Sequence, residues 1–95
     1  MFEIWRDEEG ILRLAGKLDA RQAERAKEYL DGVTTSCTLD FADLVYISSA
    51  GLGILIGAQR RLGDKGHGLT MKNLNNHIKE LFKIAGFDNI FDIIE

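Results

Sequence analysis

The chain has 95 residues, with 12 Lys plus Arg against 15 Asp plus Glu, a net charge of −3, one cysteine and no proline. That length suits one hydrophobic core, its 45% hydrophobic and 28% charged residues are those of an ordinary globular chain, and a lone Cys37 excludes an intramolecular disulfide or a Cys-rich metal site. The mildly acidic balance gives no basic footprint for nucleic acid. The start Met1-Phe2-Glu3-Ile4-Trp5-Arg6 lacks the form of a signal peptide, and no apolar run approaches the roughly 20 residues that cross a bilayer. The expectation is a single domain over residues 1–95, cytoplasmic, with no membrane and no direct nucleic-acid contact.

Phe2 to Trp5 alternates apolar and polar residues, and Ile11 to Ala15 repeats the pattern around Arg13, with Asp7-Glu8-Glu9-Gly10 as turn chemistry between them. This predicts an antiparallel hairpin. Gly16-Lys17-Leu18 leads to Asp19, a candidate helix cap with Gln22 three residues on. Ala23, Ala26 and Leu30 then recur at helical spacing up to Asp31-Gly32, predicting a helix from about Ala20 to Asp31. Cys37 to Phe41 reads as an interior strand in which Cys37 is a small buried hydrophobe, and Ala42-Asp43-Leu44 as the loop after it.

From Ala50 to Gly63, Leu52, Leu55, Ile56, Gln59 and Leu62 mark a second helix, with Arg60 and Arg61 in its last turn, where positive charge suits the helix dipole. Gly53 and Gly57 each cost about 1 kcal/mol against alanine in a helix interior, which points to close packing against the sheet. Leu69 to Lys72 alternates as a strand. Asn75 is a candidate cap for a third helix carrying Ile78, Leu81, Phe82 and Ala85 and closed by Gly86 and Phe87. Ile90 to Ile94 is a last short strand or turn. Strands alternating with helices of this length imply an α/β fold, a small, mostly parallel sheet with crossover helices and the hairpin as an antiparallel edge.

Few residues offer catalytic chemistry. His67 lies between glycines and His77 opens the third helix, neither at metal-ligand spacing from a cysteine or carboxylate. Asp40 and Asp43 suit a loop that satisfies its own backbone amides better than a Mg²⁺ pair. Gly51, Gly53 and Gly57 match a dinucleotide fingerprint only loosely, and no acid follows the next strand to hold a ribose. Ser48 and Ser49 fall where a helix begins. A serine there is either an ordinary cap or a site where a phosphate is tolerated by free backbone amides and the dipole.

The run Leu39-Asp40-Phe41-Ala42-Asp43-Leu44-Val45-Tyr46-Ile47-Ser48-Ser49-Ala50-Gly51-Leu52-Gly53-Ile54-Leu55 resembles the signature of STAS domains, specifically bacterial anti-sigma factor antagonists. Leu14 to Asp19, Asn73-Leu74 and Leu81 to Phe87 are similar to further family segments, so the resemblance spans nearly the whole chain. It implies a STAS fold and a regulatory binding protein without catalysis, cofactor or metal. The unphosphorylated form would bind an anti-sigma factor that is also a serine kinase with an ATP-binding fold, releasing the sigma factor. Phosphorylation would break that complex, and a PP2C-type phosphatase would reset it.

The family's target serine maps onto Ser49. Ala50 stands at the neighbouring Ser/Thr position, and Ser48 stands where the family often has Asp, which leaves Ser48 as an alternative acceptor. Asp19, Ser48, Ser49, Ala50, Gly51, Leu52 and Ile54 are the expected partner contacts. Leu52, Ile54 and Ile56 cannot all face the sheet, so part of this helix is expected to expose apolar surface. A monomer is expected. The competing functions are a STAS scaffold for lipid transport or stress signalling, and a small nucleotide-binding or phosphotransfer enzyme using Gly51 to Gly57 with Asp40 or Asp43.

Overall fold

Residues 1–94 are described by a computed structural model. The alternating N-terminal segments form β1 (Phe2–Arg6) and β2 (Leu12–Leu18), paired antiparallel across a turn that Asp7 closes by accepting the Glu9 and Ile11 amides at 2.9 and 3.0 Å. The remaining elements are α1 (Ala23–Asp31), β3 (Cys37–Ile47), α2 (Ser49–Gly63), β4 (Leu69–Lys72), α3 (Asn76–Ile84), a 3-10 turn at Phe87–Asn89 and β5 (Asp92–Ile94). The sheet runs β1-β2-β3-β4-β5, with every pairing after the hairpin parallel. This is the mixed, mostly parallel architecture that the alternation of strands and helices predicts.

Each crossover steps one strand in the same direction, so right-handed connections place the helices on one sheet face. The burial pattern agrees. Phe2, Ile4, Leu12, Leu14, Leu39, Phe41, Leu69 and Met71 point into a single core with Ala26, Leu30, Leu55, Leu62, Ile78 and Phe82 from the helices. Phe82 anchors the C-terminal end, meeting Phe41 edge-on at 6.2 Å between ring centroids and Phe87 and Phe91 at 5.8 Å. The other sheet face stays open, and Trp5, Arg13, Asp40 and Lys72 lie across it as successive register partners.

Several boundaries differ from the sequence expectation. β2 continues through Gly16 to Leu18, and Gly16, at φ +87°, lies against the Met1 carbonyl, where a Cβ would clash with that oxygen. α1 begins at Ala23, not Ala20: Asp19 spends its carboxylate on the Arg21 and Gln22 amides, both at 3.1 Å, and holds Ala20–Gln22 as a turn. Ala42-Asp43-Leu44 is not a loop. β3 runs on to Ile47, and two register shifts against β2 change its spacing, so that Phe41, Leu44 and Ile47 are buried every third residue.

Gly53 and Gly57 also differ, since both are exposed and an added Cβ would meet nothing within 4 Å. They line a groove of about 250 Å³ between α1 and α2, together with Leu30, Ile54 and Ala58. The close contact with the sheet is made by Gly51 instead. No described helix is long and apolar enough to cross a membrane.

Candidate functional site

Two polar clusters form, one on β3 and one just beyond its end. The first surrounds Asp40, whose carboxylate is buried although it belongs to the open face. Its Oδ2 accepts from Arg13 Nη1 at 2.8 Å, and its Oδ1 accepts from the Ala42 amide at 2.9 Å and Asn73 Nδ2 at 3.1 Å. Arg13 Nε donates in turn to Asp7 at 2.8 Å. Burial pushes the Asp40 carboxyl up, but the Ala42 amide, Asn73 and the Arg13 charge outweigh it and hold the acid below its ordinary value. Asp40 is thus an ionised anchor tying β2, β3 and the end of β4 together. Asp43 is exposed and does not join it, and among the described residues no group of three or more His, Cys, Asp or Glu is placed to hold a metal ion.

The second cluster is the start of α2. The Ser48 amide donates to the Leu18 carbonyl at 2.9 Å, which fixes the end of β3 beside the β2–α1 turn. Ser48 has the extended backbone of an N-cap, and its Oγ accepts from the Gly51 amide at 3.1 Å. This is the capping that a carboxylate at the same position also performs. Gly51 is buried beneath the cap, where a Cβ would stand 2.8 Å from the Leu18 side chain and 2.9 Å from Ile47. Glycine here lets the helix end seat against the strands.

Ser49 is the first helical residue. It is exposed, as is Ala50, and among the described residues its hydroxyl makes no hydrogen bond. The first turn of α2 contains no acid, while Arg60 and Arg61 occupy the last turn, so nothing on this helix neutralises the positive end of its dipole. Arg61 also donates to the Leu30 and Val33 carbonyls at 2.8 and 2.9 Å, fastening the far end of α2 to the C-terminus of α1.

The remaining expected residues divide. Asp19 is half-buried and committed to its turn, one residue beyond the Leu18 carbonyl that holds Ser48. Leu52, Ile54 and Ile56 are half-buried, packing against the core with part of each side chain left exposed. The exposed apolar pair lies upstream, at Val45 and Tyr46, 61% and 42% exposed. Sequence reasoning passed over both, and the three-residue spacing of Phe41, Leu44 and Ile47 was the available signal. Gly53 and Gly57 lie in the body of α2, not in a loop whose free amides cradle a pyrophosphate. His67 Nδ1 is 3.4 Å from Ser36 Oγ at the surface, and His77 is exposed.

The mixed five-stranded sheet with its serine-capped helix start is matched over residues 1–95 by the family model described as "Mlab, STAS domain". The chain belongs to the STAS-domain family. It is 30% identical over 84 residues to an anti-sigma-B factor antagonist of Listeria monocytogenes, covering 84% of this chain and 74% of that protein. It also superposes on the anti-sigma factor antagonist SpoIIAA in its unphosphorylated form, with a TM-score of 0.73 at 17% identity, covering 100% of this chain and 88% of that one. The phosphorylated form of SpoIIAA from Bacillus gives 0.72 at 18% identity, covering 100% and 92%. These likenesses in structure bear on the fold alone.

Proposed function

We propose that this chain is an anti-sigma factor antagonist controlled by phosphorylation at Ser49. Unphosphorylated, it binds an anti-sigma factor with the ATP-binding fold of a serine kinase and frees a sigma factor. The kinase then modifies Ser49 and leaves the complex, and a PP2C-type phosphatase restores it. The chain supplies no catalysis of its own.

One observation carries the assignment within the serine pair. Ser49 is exposed with a free hydroxyl, whereas Ser48 uses its oxygen to cap α2. A phosphate on Ser49 adds about −1.5 to −2 charges at a helix N-terminus with no acid in its first turn, so the fold accommodates the modified form. In the complex the same charge meets a desolvated surface and weakens it. The names of the relatives support the antagonist role. The exposed Ala50 offers no second hydroxyl.

The test is incubation with ATP and purified anti-sigma factor kinases of the source organism, read by intact mass. One added phosphate, absent from Ser49→Ala, is expected, and a phosphate that persists on Ser49→Ala overturns the assignment. Ser49→Asp is expected to weaken kinase binding in calorimetry, and unchanged affinity overturns the charge mechanism. If no such kinase modifies the chain, the scaffold reading replaces the switch.

A further inference from the structure

β3 changes character along its length. Cys37–Asp40 pair with β4, and Leu39 and Asp40 pair with β2 as well, whereas from Phe41 onward only β2 pairs with the strand. The second register shift falls here, with Gly16 opposite Leu44 and Lys17 opposite Tyr46, leaving Val45 without a register partner. In a regular strand consecutive side chains face opposite ways, so one of Val45 and Tyr46 would enter the core. The extra residue turns both outward while Leu44 and Ile47 stay buried. Bulges re-aim side chains in this manner beside functional sites.

The place of this pair gives it a use. Ser49 follows Tyr46 by three residues, and the Ser48 amide is pinned to Leu18, so the segment from Val45 to Ser49 is held as one piece. A single serine entering an active site cannot hold a protein partner. A stable interface covers about 800 Å² per side, and its affinity concentrates in a few anchors, tyrosine prominent among them. Leu52, Ile54 and Ile56 are partly packed on the core and less exposed than this pair. The other exposed large apolar residues, Met1, Trp5, Tyr29, Ile84, Ile90 and Ile94, lie on other elements or beyond the strand.

We infer that Val45 and Tyr46 form an apolar anchor on which the anti-sigma factor docks, holding the end of β3 while Ser49 is offered to its kinase site. This rests on the function proposed above and adds the surface that positions the partner.

The experiment measures phosphorylation kinetics and binding with the anti-sigma factor kinase that modifies the native chain. Val45→Asp and Tyr46→Ala are each expected to raise KM and Kd at least about tenfold, with kcat changed less than about twofold, because docking and phosphoryl transfer are then separate contributions. Ile84→Asp on α3, at a site 77% exposed, is expected to leave all three constants unchanged. The near-isosteric Val45→Thr guards against loss of fold and should raise KM in the same direction. Wild-type KM and Kd in all three anchor variants overturn the inference and leave the Ser49 switch standing. A native chain that no anti-sigma factor kinase binds or modifies overturns both. Variants that change self-association in sedimentation while binding the kinase normally assign the patch to a second copy of this chain, and also overturn it.

Discussion

Asp40 lies in the first half of β3 and Ser49 just beyond its end, at the start of α2, and both are polar groups next to the apolar core. Around Asp40 the strand has neighbours on both sides, and three donors from Arg13, Ala42 and Asn73 converge on its carboxylate. Beyond Phe41 the β4 side is left open apart from Asn75 Nδ2, which donates to the Leu44 carbonyl at 3.3 Å. There Val45, Tyr46 and Ser49 face outward. A polar group whose partners all come from its own chain is committed to holding the fold. A hydroxyl on a fixed backbone with no partner of its own is available to another molecule.

The contrast is broken most severely at Asp40. Asp40→Ala leaves the Ala42 and Asn73 donors and the Arg13 charge without their acceptor, and a loss of about 2–3 kcal/mol is expected in urea unfolding. The pH dependence follows from the same contacts. The Asp40 pKa is lowered in the folded state, so its contribution is complete above the unfolded value near 3.8 and is lost as pH falls below it. Asp7, whose pKa is lowered as well, acts in the same direction. Native protein is therefore expected to lose stability on acidification below about pH 4 more steeply than Asp40→Asn.

Gly51→Ala tests the other end. The new methyl meets Leu18 and Ile47 at distances that force the helix start to shift, with an expected cost of about 1–3 kcal/mol. Such a cost lowers Tm by several degrees in a domain of this size. Phosphorylation of Ser49 should slow as well, because its backbone moves with Gly51.

The two serines sharpen the comparison. Ser48→Ala removes a cap and should cost about 1 kcal/mol, while Ser49→Ala should stay within about 0.5 kcal/mol of native and abolish phosphorylation. Equal stability losses in thermal melts would contradict the division of roles. Smallest in size and opposite in sign, Gly53→Ala should stabilise by about 0.5–1 kcal/mol, since the position is helical and a methyl meets nothing within 4 Å. A lower Tm for this variant would restore a packing role to Gly53.

Much of this was legible in the chain. Alternation marks β1, β2 and β4, and three- and four-residue spacing marks the helices. Asn75 caps α3 as expected, its Oδ1 accepting the Ile78 amide at 2.8 Å, and Gly86 ends that helix at φ +76°. The serine pair at a helix start was legible too, because capping chemistry is local. Asp40 was harder. A carboxylate two residues before Ala42 suits an Asx turn, and that contact forms, but Arg13 comes from β2 and Asn73 from just past β4, 27 and 33 residues away in sequence.

Sequence alone thus determined most of the elements, their order and the serine pair at a helix start, since each depends on residues within one or two turns of one another, and the parallel pairing follows from that order. Tertiary structure decided which serine is occupied and which is free, that Gly51 and not Gly53 or Gly57 is the close contact, and that Val45 and Tyr46 both face outward. Those outcomes depend on strand register. A single inserted residue reverses the facing of every side chain that follows, and its position is set by the neighbouring strand and not by the segment itself.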